Sequence, residues 1–124
     1  MAKILIVDDE QNIRNILRES LKKDEHEIYE AGTGQEASDI LNSNQIELLI
    51  TDLVMPGKTG LDLIMEVKEN YPDLTIIAIS GGGGINGRFD YLPIAQLIGA
   101  NNIIKKPFSI NDIKQSVTNL LKAS

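Results

Sequence analysis

Ile4-Leu5-Ile6-Val7-Asp8-Asp9 is an unbroken, mostly β-branched aliphatic run that stops on two acids. A strand with one face in water alternates apolar with polar residues, whereas a run without polar interruption is the pattern of a strand buried on both faces. The same character returns at Leu48 to Ile50, followed by Thr51-Asp52, and at Ile76 to Ile79, followed by Ser80. Ile28 to Ala31 and Asn102 to Ile104 complete five strand-length runs. The first of these two is more polar and suits a sheet edge.

Helix-period segments fill the gaps. Ile13, Ile16, Leu17 and Leu21 share one face of a first helix, and Ala37, Ile40 and Leu41 one face of a second. Leu61, Ile64, Met65 and Lys68 fit a third with its apolar side inward, ended by Tyr71-Pro72, and Asp90 to Ile98 is a weaker fourth. Ser109 and Asp112 have the spacing of a capping pair ahead of Ile113, Val117, Leu120 and Leu121 in a fifth. Five strands alternating with five helices predict an α/β fold with a parallel sheet covered on both faces. The flavodoxin-like strand order 2-1-3-4-5 places the polar second run at an edge. With 124 residues and no repeat or linker, a single domain over 1–124 is expected.

Composition removes several classes of function. A net charge of −6, with twelve scattered basic residues, disfavours nucleic-acid binding. Aromatics at 4%, with no Trp, leave no base-stacking platform. Cysteine is absent, which excludes disulfides, thiolate metal sites and cysteine nucleophiles. No apolar run reaches membrane-spanning length, and the first strand run leaves no room for a signal peptide, so no membrane partner and a cytoplasmic location are expected. His26, in the charged turn Lys22 to Glu27, has no partner motif and is expected to be solvated.

In a parallel sheet of this order, ligands bind beyond the carboxyl ends of the strands, near the reversal between the first and third. Those ends carry Asp8-Asp9, Asp52, Ser80 and Lys105-Lys106. Three converging carboxylates raise each other's pKa unless a cation sits among them. Mg²⁺ suits such a site, with Asp8, Asp9, Asp52 and the carbonyl of Val54 as ligands. Asp52 then becomes a nucleophile toward phosphorus, with Lys106, Ser80 and the amides of Gly81 and Gly82 as donors to the transferred group. Each piece taken singly has a plainer reading. Asp8-Asp9 reads as a helix cap and Asp52 as a loop cap. Met55-Pro56-Gly57 with Gly60 reads as a turn, the glycines after Ser80 as a connector, and Lys106 as a surface lysine before a helix-starting proline. Their arrival together at four separate strand ends favours the chemical reading.

These residues resemble the response-regulator receiver family from Lys3 to Leu121. Val7-Asp8-Asp9-Glu10 is similar to its acidic pair, Thr51 to Gly57 with Gly60-Leu61 to its phosphoacceptor loop, Ser80 to its hydroxyl position and Lys106-Pro107-Phe108 to its closing signature. The resemblance implies that Asp8 and Asp9 hold Mg²⁺, that Asp52 accepts phosphate, and that Ser80 and Lys106 engage the phosphoryl group. It also implies a cis peptide before Pro107. Two departures stand out. Ile103 occupies the place of an inward-turning Tyr or Phe in many members, so an aromatic switch does not carry over. The segment from Gly81 to Tyr91 is longer and richer in glycine than usual, so the fourth helix is expected to start late, shift or be partly disordered, with this loop a candidate for ordering on phosphorylation.

The resulting expectation is a phosphoacceptor module. It takes a phosphoryl group from a histidine kinase or histidine phosphotransfer protein and signals to a downstream protein through the face of the fourth helix, fifth strand and fifth helix. With no output domain expected beyond Ser124, output is expected by protein contact. Two further readings are an aspartyl-phosphate-forming phosphatase, which usually places an acid where Val54 stands, and a degenerate receiver that binds without phosphorylation. Flavin binding would need a Ser/Thr-rich loop where the acid pair lies.

Overall fold

The computed structural model describes residues 1–81 and 92–123. Its elements run β1 (Lys3–Val7), α1 (Gln11–Lys22), β2 (Glu27–Ala31), α2 (Gly34–Ser43), β3 (Leu48–Asp52), α3 (Gly60–Asn70), β4 (Thr75–Ser80), α4 (Leu92–Ile98), β5 (Asn102–Lys105) and α5 (Ile110–Ala123). The strands form one parallel sheet in the order β2-β1-β3-β4-β5, as the alternation predicts. The readings of the segment from Gly81 to Tyr91 fall, after Gly81, outside the described residues, as do Asp90 and Tyr91 of the expected fourth helix.

Strand periodicity divides the core in two. Ile4, Ile6, Leu48, Ile50, Ile77 and Ile79 face Leu17 and Leu21 of α1 and Ile113 and Val117 of α5. Leu5, Val7, Leu49, Ile76 and Ala78 face Ala37 and Leu41 of α2, Leu63, Ile64 and Val67 of α3, and Ala95 of α4. The three central strands therefore carry unbroken apolar runs, Ile4 to Val7, Leu48 to Ile50 and Ile76 to Ile79, because both of their faces are covered.

Three expectations are corrected. In α3 the buried face is Gly60, Leu63, Ile64 and Val67, while Met65 is 56% exposed. Gly60 decides this, because a Cβ there would lie 1.9 Å from the Asp52 carbonyl oxygen and only glycine permits the approach. In α1, Ile16 is 46% exposed, although it shares a stripe with buried Leu17 and Leu21. His26 is not simply solvated, since its Nδ1 accepts from the Ala2 N–H at 3.1 Å, and burial lowers its pKa.

A capping box starts α3: Thr59 Oγ1 accepts from the Asp62 N–H, and the Asp62 carboxylate accepts from the Thr59 N–H. Removing the hydroxyl leaves a helix-end donor unmet. Thr59→Ala is expected to cost about 1 kcal/mol, read as a drop of about 4 °C in thermal midpoint.

Candidate functional site

The acidic turn after β1 does not cap α1. Glu10 occupies the cap position and makes no side-chain capping bond, while Asp8 Oδ1 accepts from the Glu10 N–H at 2.9 Å. Asp8 is buried, with its N–H bonded to the Ala31 carbonyl and its own carbonyl accepting from Arg14 Nη1 at 2.6 Å. Glu30 on β2 binds both Arg14 and Arg18, which ties α1 to the edge strand and steadies the guanidinium over this turn. Asp8, Asp9 and Glu10 offer carboxylate oxygens within 4.8 Å of one another, the last two exposed.

Asp52 ends β3 beside β1, where the chain steps to opposite sides of the first strand and the loops part. Its Oδ1 accepts from the Leu53 N–H at 2.9 Å, and Gly60 N–H closes the loop base on the Leu53 carbonyl. On the other side, the Lys106 N–H donates to the Ser80 carbonyl at 2.8 Å, carrying the β4 end onto the segment after β5. The Lys106-Pro107 peptide is cis. Lys106 Nζ lies 3.2 Å from Asp8 Oδ2 and 3.4 Å from Asp52 Oδ2, bridging acids 98 and 54 residues away in sequence. Ser80 Oγ is buried and has no hydrogen-bond partner among the described residues.

The charges are arranged in opposition. Burial raises the Asp52 pKa to about 6; Asp8 adds to the rise, while Lys106 and the Leu53 and Val54 amides pull the other way. Burial also disfavours the Lys106 ammonium, but Asp52 and Asp8 outweigh it and its pKa is raised. One ammonium thus compensates two buried acids incompletely. The remaining donors are all oxygen, the set that a hard divalent cation prefers over a softer metal.

The response regulator receiver domain model matches residues 4–118. The chain belongs to that family. Its receiver fold is 35% identical over 123 residues to a chemotaxis protein CheY homolog of Campylobacter jejuni, covering 96% of this chain and 92% of that one. It is 32% identical to the DNA-binding transcriptional regulator NtrC of Azospirillum brasilense, covering 99% of this chain but only 25% of that protein. The response regulator TrrA of Thermotoga maritima, solved in complex with Mg²⁺-BeF, superposes with a TM-score of 0.84 at 32% identity, over 97% of this chain and 99% of that one. Among the described residues no helix is long and apolar enough to cross a membrane.

Within this receiver, the residues singled out by sequence fall unequally. Lys106 pairs with both Asp8 and Asp52, and Asp9 stands with Asp8. Ser80 lies at the adjoining strand end, Val54 is exposed with its amide toward Asp52, and Gly82 is outside the described residues. Glu10 and Arg14 were not anticipated. Glu10 adjoins the acid pair in sequence, so its charge was legible there; the Arg14 contact to the Asp8 carbonyl carries no sequence signal.

Proposed function

We propose that this receiver accepts a phosphoryl group onto Asp52 from the phosphohistidine of a histidine kinase or histidine phosphotransfer protein, with Mg²⁺ bound, and passes the signal to a downstream protein in the cytoplasm. The observation that carries this reading is the Lys106 ammonium lying between Asp8 and Asp52 at the crevice where strand order reverses. An Asp52 oxygen attacks phosphorus and forms the acyl phosphate. The P–N bond breaks, and its electron pair stays on the imidazole nitrogen, which then takes a proton.

Asp8, Asp9 and Asp52, with the Val54 carbonyl, would hold the cation. When bound, Mg²⁺ neutralises these acids and draws charge from the phosphoryl oxygens. Lys106 shifts from pairing with a carboxylate to pairing with the transferred group. Ser80, whose hydroxyl has no partner among the described residues, supplies a donor that the new oxygens accept. Output suits the face of α4, β5 and α5, where Leu97 is 87% exposed.

Incubation with Mg²⁺ and acetyl phosphate, followed by intact mass measurement, tests the reading. One phosphoryl adduct is expected on the wild type and none on Asp52→Asn. An adduct that persists in the variant, or turnover of phosphate esters with no adduct, overturns it.

A further inference from the structure

The loop from Leu53 to Thr59 joins Asp52 to α3 and carries Val54. Its base is held by the Gly60–Leu53 bond, and Met55 is buried in the core on the α2–α3 side of the sheet. Pro56 and Gly57 are exposed, Gly57 having a φ of +75° and open space where a Cβ would be. Beyond them the loop is gripped again. Lys58 lays its stem on the first residue of α2, so closely that a Cβ on Gly34 would fall 2.8 Å from Lys58 Cβ and Cγ. Its ammonium donates to Ser38 Oγ at 2.8 Å and pairs with Glu66 Oε1 on α3. Ser38 Oγ in turn donates to Glu66 Oε2 at 2.7 Å.

An exposed ion pair contributes little, because solvent screens it and two long side chains must be immobilised. This pair differs in three ways. Side-chain exposure is only 25% for Lys58 and 31% for Glu66, the shared hydroxyl of Ser38 is buried, and the network spans two helices and a loop. The Glu66 carboxyl is held below its ordinary range by the Lys58 hydrogen bond, against burial and with help from Ser38. An ammonium anchored on both helices limits where the loop between Met55 and Gly60 can travel.

We propose that Lys58 is a positioning residue for the divalent-cation site, fastening the loop to α2 and α3 and thereby setting where the Val54 carbonyl stands relative to Asp52. The inference rests on the receiver reading of Asp52 and Val54. Groups that orient a ligand without touching the metal commonly change affinity by about 10- to 100-fold when removed. Lys58→Met keeps a stem that can lie on Gly34 and removes the charge. Glu66→Gln keeps the shape and removes the partner.

Calorimetric titration of the full chain with Mg²⁺ alone, with amide hydrogen exchange of the metal-free protein, provides the test. Lys58→Met is expected to weaken Mg²⁺ binding by about 10-fold and to speed exchange across residues 54–59. Glu66→Gln is expected to act in the same direction, and Lys58→Arg to restore affinity. If the wild type takes no Mg²⁺, the receiver reading falls and this inference with it. If the wild type binds and both Lys58→Met and Glu66→Gln bind equally well, even with lower melting temperatures, the inference alone is overturned. Should Lys58→Met not fold, Glu66→Gln decides by the same readings.

Discussion

Asp52→Asn is expected to make the metal-free protein more stable at pH 7.5, by up to about 3 kcal/mol. Burial raises the Asp52 pKa from 3.8 to about 6, so the folded state prefers the neutral acid more than the unfolded chain does. The stability this lends is fully present below pH 3.8 and is lost as pH rises through about 6. Asn does not ionise and escapes that loss. The variant and the wild type should therefore be close near pH 3.5, diverge as pH rises through about 6 and hold a constant gap from there to pH 7.5, as followed by urea denaturation in chelator. Saturating Mg²⁺ should narrow the gap by stabilising the wild type. A less stable variant at pH 7.5 would show that Lys106 outweighs burial at this carboxylate.

Gly60→Ala should be the most damaging single methyl addition in the phosphoacceptor loop. Its Cβ would lie 1.9 Å from the Asp52 carbonyl oxygen, 2.6 Å from Leu53 Cα and 2.8 Å from the Asp52 carbonyl carbon. All three are backbone atoms of the residues that shape the site, so no rotamer change can relieve the overlap. Overpacking of this kind costs about 3 kcal/mol or more. Gly57→Ala provides the contrast, since it meets no neighbouring atom and bears only the left-handed strain of φ +75°, about 1 kcal/mol. Equilibrium denaturation of the two variants should separate them clearly. If Gly60→Ala unfolds at the wild-type midpoint, the α3 N-terminus cannot pack on Asp52 as described.

Much of this architecture was legible because its signals are local. Ile4 to Val7, Leu48 to Ile50 and Ile76 to Ile79 read as doubly buried strands because no polar residue interrupts them, and the polar Ile28 to Ala31 run lies at the sheet edge. Helical period identified all three of α1, α2 and α5, missed at Ile16 of α1 and failed more widely at α3. There, the stripe read from the sequence was Leu61, Ile64, Met65 and Lys68, whereas Leu63 and Val67 are buried with Ile64, and the deciding residue, Gly60, has no side chain to contribute to any hydrophobic pattern. His26 was misread for a related reason: its partner is the backbone of Ala2, and a backbone amide has no letter in the sequence.

Residue types and their order along the chain were enough to indicate a parallel α/β sheet and to bring acids, a hydroxyl and a lysine to the ends of four strands. Whether those groups touch depends on register, on the approach of backbones and on side-chain reach, none of which has a period to read. Packing of distant segments set Lys106 between Asp8 and Asp52, left Ser80 Oγ without a partner among the described residues and clamped Lys58 between Ser38 and Glu66. Strand and helix patterns arise from neighbours a few residues apart, whereas these contacts arise from sheet geometry summed over the whole fold.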